Sequence, residues 1–173
     1  YDSTSSSEYI KSNTRKMTIT YTERNFTEEG LTFDVLINND QKTVSLNELK
    51  TFEPRISVAT GTSEKADEHV YTLTFNGDGA YKVTPHIKDA AENANEGVAY
   101  ADSESKANEL FVLDSTAPRI DVSYETATTS KYLNKQEQIM TVTYTERNFT
   151  EDGLTFDISI NGGKEKGYTL KQL

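Results

Sequence analysis

One stretch of eighteen residues occurs twice in this chain. MTITYTERNFTEEGLTFD at 17–34 returns as MTVTYTERNFTEDGLTFD at 140–157. Sixteen of the eighteen positions are identical, and the offset between the copies is 123 residues. A period of this length is the size of an ordinary domain, whereas solenoid repeats span about 20–50 residues. The repeat therefore predicts tandem domains, one nearly whole and the second cut short, within 173 residues.

The composition favours a thin, two-layer β-structure. Apolar residues make up 34% of the chain, and the mean hydropathy is −0.69. These values suit a sandwich in which each sheet keeps one face in water. Thr and Ser are abundant, and no long run shows the 3.6-residue apolar period of a helix. We therefore predict an all-β chain.

Charge and residue usage argue against several classes of function. The net charge of −10 is unfavourable for binding nucleic acid or an anionic membrane, because both need basic patches. The chain has no cysteine, which excludes disulfides and thiol chemistry. No apolar run reaches the ~18 residues of a membrane span, and no signal peptide is present. Because the pattern is already under way at Tyr1, both termini are expected to be cuts in a longer protein.

Period-two alternation places the strands of the repeated stretch. Met17, Ile19 and Tyr21 alternate with threonines, which predicts a strand with an apolar inner row. A turn at 27–30 leads to a second alternating strand at 31–38. The repeated copy keeps the same inner rows apolar, which supports this register.

Less regular signals place the remaining strands. Further strands are predicted at 55–59, 110–113 and 119–124. The segments 70–75 and 80–88 flank the turn sequence NGDG, which predicts a β-hairpin. Residues 42–68 are open to interpretation as an edge strand or a helical turn. About seven strands per period predict an immunoglobulin-like β-sandwich, with a barrel as the main alternative.

Three motifs in the later part of the period match a known kind of repeat domain. The chain reads DGAY at 78–81, KDAAEN at 88–93 and DSTAP at 114–118. Together they resemble the bacterial Ig-like repeat domains of large, often Gram-positive, surface proteins and adhesins, whose patterns are close to DGxY, DxAGN and DxTAP. The chain departs from the second pattern at Glu92, where that family usually has Gly. The resemblance covers the whole period and implies an Ig-like fold and a secreted or cell-surface location.

These boundaries divide the chain into predicted domains. Residues 1–114 form a first Ig-like module that lacks its own opening strand, residues 115–118 form a linker, and residues 119–173 form the first half of a second module. One hypothesis is that the segment 119–123 fills the vacant edge of the first module. The three strands predicted in 117–173 are too few to bury a core, so this part is expected to be disordered, partly folded, or completed by strands of the first module or of another molecule.

Several carboxylates are expected to meet where the two modules join. In an immunoglobulin-like sandwich, the exit linker of one module lies near the loop after the second strand of the next. The residues concerned are Asp78, Asp114, Glu146, Glu151 and Asp152. Because Ca²⁺ accepts six to eight oxygen ligands, a calcium ion bridging these side chains would stiffen the junction. A solvated acidic junction without metal is the alternative.

The sequence contains no recognisable catalytic motif. His69 and His86 have no marked Ser or Cys nucleophile, and neither a phosphate loop nor a zinc spacing is present. We therefore expect a non-catalytic extracellular module that acts as a structural spacer, with neighbouring Ig-like modules of the same chain as partners. The alternatives are an adhesive binding head for a glycan or host protein, and an accessory domain of a secreted carbohydrate-active enzyme.

Overall fold

Strands dominate the computed structural model, which describes residues 1–2, 8–52, 54–95, 110–125 and 132–173. Strands account for 50% of the chain and helices for 11%, so the predicted β-rich class is confirmed. The chain divides into two units, unit 1 (Tyr1–Thr116) and unit 2 (Ala117–Leu173).

Unit 1 contains two sheets. Its strands are β1 (Tyr9–Ile10), β2 (Thr14–Thr22), β3 (Leu31–Ile37), β4 (Asp40–Ser45), β5 (Ile56–Thr60), β6 (Glu68–Asn76), β7 (Gly79–Ile87) and β8 (Leu110–Leu113). Five of them form a sheet in the order β1-β8-β7-β3-β4, and three form a sheet in the order β2-β6-β5. Neighbouring strands are antiparallel except for β1 and β8, which are parallel.

One hydrophobic core joins the two sheets of unit 1. Rows of alternate apolar residues on β2, β3, β6 and β7 are buried in it, and they comprise Met17, Ile19, Leu31, Phe33, Leu73, Phe75, Tyr81 and Val83. The ring of Phe75 on the three-stranded sheet lies 5.5 Å from that of Tyr81 and 5.1 Å from that of Phe111, both on the five-stranded sheet. Because successive side chains of a strand point to opposite faces, these rows leave the other face of each sheet to solvent. The arrangement is of the β-sandwich type.

Part of the segment 42–68, for which the sequence allows an edge strand or a helical turn, forms a single helical turn. Helix α1 (Leu46–Leu49) follows β4 and begins at Ser45, whose hydroxyl accepts a hydrogen bond from the N–H of Glu48. The Glu48 side chain accepts one in return from the N–H of Ser45, which completes a capping box. Leu46 and Leu49 are buried against the core. A 3₁₀ turn at Lys50–Phe52 then leads towards β5.

The predicted hairpin between 70–75 and 80–88 is wrong. Strands β6 and β7 belong to different sheets, so the turn between them is a corner that crosses from one sheet to the other. Two strands joined by a glycine-rich turn show the same alternation of apolar and polar residues whether they form a hairpin in one sheet or a corner between two sheets. In this turn Gly77 has a φ of +81°. The inner rows of β6 and β7 face one another across the core instead of lying side by side, and Phe75 therefore packs on Tyr81.

Unit 2 forms two separate two-stranded ladders. Its strands are β9 (Arg119–Tyr124), β10 (Met140–Thr145), β11 (Thr155–Ile158) and β12 (Lys166–Thr169). Strand β9 pairs with β10, and β11 pairs with β12. Leu154 is the one buried hydrophobic side chain in the described part of this unit, whereas Ile120 and Val122 are about half exposed. These ladders leave most apolar side chains of unit 2 open to solvent.

The pairing of β9 with β10 overturns one hypothesis about unit 1. All residues of β9 find their partners on β10, so the segment 119–123 does not fill the edge of the first module. The connection from β9 to β10 is far shorter in sequence than the connection back to β2. Closing the shorter loop costs less conformational entropy, which favours the pairing within unit 2.

Candidate functional site

The corner between β6 and β7 is held by the hydroxyl of Tyr81. This buried oxygen lies 2.7 Å from the backbone oxygen of Asn76 and 2.9 Å from that of Gly77. The guanidinium of Arg55 donates to the backbone oxygen of Asp78 at 3.0 Å and to the Tyr81 hydroxyl at 3.3 Å. A turn whose carbonyl groups are satisfied by fixed side chains has few alternative conformations. The DGAY motif therefore builds a rigid corner.

The carboxylate at this corner holds the chain as it leaves unit 1. One oxygen of Asp78 accepts hydrogen bonds from the N–H of Ser115 at 2.8 Å and from the hydroxyl of Ser115 at 2.7 Å. The other accepts a hydrogen bond from the hydroxyl of Thr116. We call Asp78, Ser115 and Thr116 the exit clasp. It ties the segment after β8 to the corner that Tyr81 fixes.

The residues of the predicted calcium site fall into two groups. Asp78 lies beside the segment that begins with Asp114, as the sequence predicts, and both belong to unit 1. Glu146, Glu151 and Asp152 belong to unit 2, where Glu146 caps its own loop and the other two lie in a 3₁₀ turn. Within the described residues, no group of three or more His, Cys, Asp or Glu side chains is arranged to hold a metal ion. Calcium at the junction stays a prediction.

The loop TERNFT, which is repeated without change, is stabilised by hydrogen bonds between its own residues. The carboxylate of Glu23 accepts a hydrogen bond from the N–H of Asn25 at 2.8 Å, and Glu146 does the same for Asn148 at 2.9 Å. The following 3₁₀ turns also agree, because Thr27 and Thr150 begin them with φ of −128° and −126°.

Aromatic packing fixes the other end of this loop in unit 1. The ring of Phe26 stacks on His69 with 4.2 Å between ring centroids, and it also contacts Tyr21 and Tyr71. Phe26 is half-buried, so it covers the edge of the core instead of entering it. His69 is half-buried under this ring. The described contacts of the loop residues therefore support the turn.

An open depression of about 390 Å³, lined by both polar and apolar side chains, lies on the outer face of the five-stranded sheet. Its lining residues are Asp34, Val35, Leu36, Gln41, Lys82, Thr84 and Leu110. Beside it, Asp34 accepts hydrogen bonds from the hydroxyl of Thr43 at 2.6 Å and lies 2.8 Å from Nε2 of His86. The hydrogen bond from Thr43, followed by that to His86, lowers the pKa of Asp34. Thr43 contacts the carboxylate and not the imidazole, so the trio lacks the order of a nucleophile, base and acid.

The turn after β7 contains Glu92, at the position where the repeat domains that the sequence resembles usually have Gly. Asp89 accepts hydrogen bonds from the N–H groups of Ala91 and Asn93, each at 2.8 Å. The hydrogen bond from the side-chain amide of Asn93, followed by the one from the Asn93 N–H, lowers the pKa of Asp89. Glu92 adopts a φ of +66°, the left-handed conformation in which glycine is favoured. The conformation typical of Gly is therefore present with Glu in its place.

Sequence reasoning missed Arg15, which lies in the core with only 1% of its surface exposed. Its guanidinium carbon lies 4.0 Å from the ring centre of Tyr1 and 4.6 Å from that of Phe111. Burial lowers the pKa of Arg15. The period-two row that contains Met17 and Ile19 extends back to Arg15, and this was the signal available in the sequence. The aromatic faces give the buried cation a favourable electrostatic environment.

Comparison with protein-family models, curated proteins and solved structures found no match for this chain. In the described part of the chain, no helix is both long enough and apolar enough to cross a membrane.

Proposed function

We propose that unit 1 is an immunoglobulin-like β-sandwich of the bacterial repeat type, and that the chain is a non-catalytic structural spacer of a bacterial surface protein. The observation that carries the mechanical part of this proposal is the parallel pairing of β1 with β8. Neighbouring modules of the same kind would be its partners. Its place would be outside the cell.

Strand order and the corner support the immunoglobulin-like assignment. Immunoglobulin domains keep strands B, E and D in one sheet and strands C, F and G in the other. Read in chain order, the sheet β2-β6-β5 corresponds to B, E and D, and the segment β8-β7-β3 corresponds to G, F and C. Immunoglobulin domains also place a tyrosine near the start of strand F, with its hydroxyl bonded to upstream backbone. Tyr81 occupies this position on β7.

The pairing of β1 with β8 suits a module under tension. The N–H of Val112 donates to the backbone oxygen of Glu8 at 2.8 Å, and the N–H of Asp114 donates to that of Ile10 at 3.0 Å. Tension along the chain reaches β1 from its amino-terminal side and β8 from its carboxyl-terminal side. Because the strands are parallel, these two points lie at opposite ends of the pair, and the force shears its hydrogen bonds together. The exit clasp adds a second attachment directly after β8.

A proline in β8 tests the mechanical role. Val112→Pro removes the N–H that bonds Glu8, and we expect a lower unfolding force for unit 1 when the full chain is pulled from its ends. Val112 is buried and β8 is an inner strand of the sheet, so the equilibrium free energy of unfolding should fall by more than the roughly 1 kcal/mol of one hydrogen bond. Single-molecule pulling measures the force, and denaturant titration of the same variant measures the free energy.

Thr20→Pro is the matched control for this experiment. The N–H of Lys16 points away from β6 towards Asp2, and the N–H of Thr20, four residues further along β2, points the same way. A proline at this exposed position leaves the ladder with β6 intact and lies outside the β1–β8 pair. We expect its unfolding force to equal that of the unmodified chain. An unchanged force for Val112→Pro would contradict the proposed spacer mechanism.

A further inference from the structure

The corner between β6 and β7 contains the dipeptide Asn76-Gly77. Asparagine is thermolabile, above all before glycine, because glycine has no Cβ to obstruct its backbone nitrogen. That nitrogen attacks the side-chain carbonyl carbon of the asparagine and forms a C–N bond. The side-chain nitrogen leaves as ammonia and takes the proton that the glycine N–H gives up. Water then opens the resulting succinimide ring at either carbonyl group, which leaves aspartate or isoaspartate, so water is the co-reactant of this modification.

The folded corner occupies the backbone nitrogen that would attack. The N–H of Gly77 donates to the backbone oxygen of Asn13 at 2.7 Å. Attack requires this nitrogen to lose its proton, and an amide held in a hydrogen bond exchanges its proton only when the structure opens. The hydroxyl of Tyr81 lies 2.7 Å from the backbone oxygen of Asn76 and 2.9 Å from that of Gly77. The backbone on both sides of the nitrogen is therefore fixed.

The group that would leave is held as well. The side-chain amide of Asn76 donates to the backbone oxygen of Pro54 at 3.0 Å and to that of Thr74 at 3.4 Å. The N–H of Asn76 donates to the backbone oxygen of Arg55 at 2.8 Å. These bonds keep Asn76 in one conformation, and its side-chain nitrogen cannot depart without breaking two of them. The fold therefore restrains both partners of the reaction.

We propose that Asn76 is a site of succinimide-mediated deamidation that the folded corner protects and that unfolding of unit 1 exposes. The product does not fit the corner, because a carboxylate has no N–H for the backbone oxygens of Pro54 and Thr74 and places a negative charge against them. Isoaspartate also lengthens the backbone by one carbon beside the carbonyl groups that contact Tyr81. A chain modified while unfolded therefore refolds to a less stable unit 1. The proposal depends on the corner and not on the spacer role.

The sequence contains one other Asn-Gly dipeptide, Asn161-Gly162, which provides an internal reference. It lies in the turn between β11 and β12, where both residues are exposed. Among the described residues, no hydrogen bond holds the N–H of Gly162. Because the reacting groups of the two dipeptides are the same, a difference between their rates in the folded chain measures the protection that the corner gives.

Incubation of the full chain in mildly alkaline buffer, with and without guanidinium chloride, tests the protection. Peptide mapping by mass spectrometry follows the mass gain that accompanies the change from amide to carboxyl at each site. In denaturant we expect Asn76 and Asn161 to be modified at similar rates. Folding should slow the reaction at Asn76 at least about tenfold and slow it much less at Asn161. Equal slowing at the two sites, or no modification of Asn76 in denaturant, would overturn the proposal.

The variant Asn76→Asp carries one of the two products and tests the consequence for stability. We expect the equilibrium constant for unfolding of unit 1 to rise at least about tenfold, because two backbone oxygens lose their donor. Asn161→Asp is the matched control and should leave the unfolding transition of unit 1 unchanged. Denaturant titration monitored by tyrosine fluorescence measures both. An Asn76→Asp chain whose unit 1 is as stable as that of the unmodified chain would overturn the proposal.

Discussion

Replacement of Phe111 by alanine is expected to destabilise unit 1 by about 3–5 kcal/mol, the range for truncating a fully buried aromatic residue. Phe111 has no exposed surface and contacts the rings of Tyr1, Phe75 and Tyr81 with 5.1–5.7 Å between centroids. Its ring also covers the guanidinium of Arg15. The substitution therefore leaves a cavity between the sheets and exposes a buried cation to that cavity. Denaturant unfolding monitored by tyrosine fluorescence measures the loss.

The same substitution at Phe149 provides a matched comparison. Phe149 is 42% exposed and belongs to unit 2, where its ring contacts that of Tyr144. Phe149→Ala should leave the unfolding transition of unit 1 unchanged. A loss below about 1 kcal/mol for Phe111→Ala would mean that the two sheets do not share one tightly packed core.

Tyr81→Phe is expected to lower the stability of unit 1 by about 1–3 kcal/mol, because it removes a buried hydrogen-bonding group and keeps the ring. The lost hydroxyl donates to the backbone carbonyl groups of Asn76 and Gly77 and accepts a hydrogen bond from Arg55. Those groups lie at the corner between the sheets and would be left without this partner. The free energy of unfolding from denaturant titration is the quantity to compare.

Tyr71→Phe is the control for this substitution. Tyr71 is also buried, but its hydroxyl makes a longer hydrogen bond, 3.3 Å, to the side chain of Glu28. Burial, followed by the nearby charge of Glu28, raises the pKa of Tyr71. Glu28 lies at the exposed rim and can be solvated instead, so the effect should be less than half of that at Tyr81. Equal effects at the two positions would contradict a special role for the corner.

The inner rows of the sandwich were predictable from sequence because alternation alone determines them. Met17, Ile19, Leu31 and Phe33 are buried as the period-two pattern predicts. The mostly β class follows from the same pattern. Alternation does not determine which strands are neighbours, however, so the sequence around Gly77 fits a hairpin as well as a corner between two sheets.

The exit clasp and the buried arginine show a different limit of sequence reasoning. The sequence predicts that Asp78 approaches the linker, but it does not predict which hydrogen-bond donors the carboxylate meets there. The structure gives it donors on Ser115 and Thr116, and hydroxyl and N–H groups of this kind carry no charge that composition could reveal. Because charged residues are rarely buried, the sequence gives little reason to place Arg15 in the core. The rings of Tyr1 and Phe111 that surround it come from distant parts of the sequence.

The direction of pulling tests the mechanical account of unit 1 most directly. The chain has no cysteine, so a pair of introduced cysteines defines where force is applied. Anchors at positions 8 and 114 lie at opposite ends of the β1–β8 pair and load its hydrogen bonds together. Anchors at positions 11 and 114 lie at the same end and peel them one at a time. We expect a clearly higher unfolding force for the first pair of anchors, and equal forces in the two geometries would contradict the account.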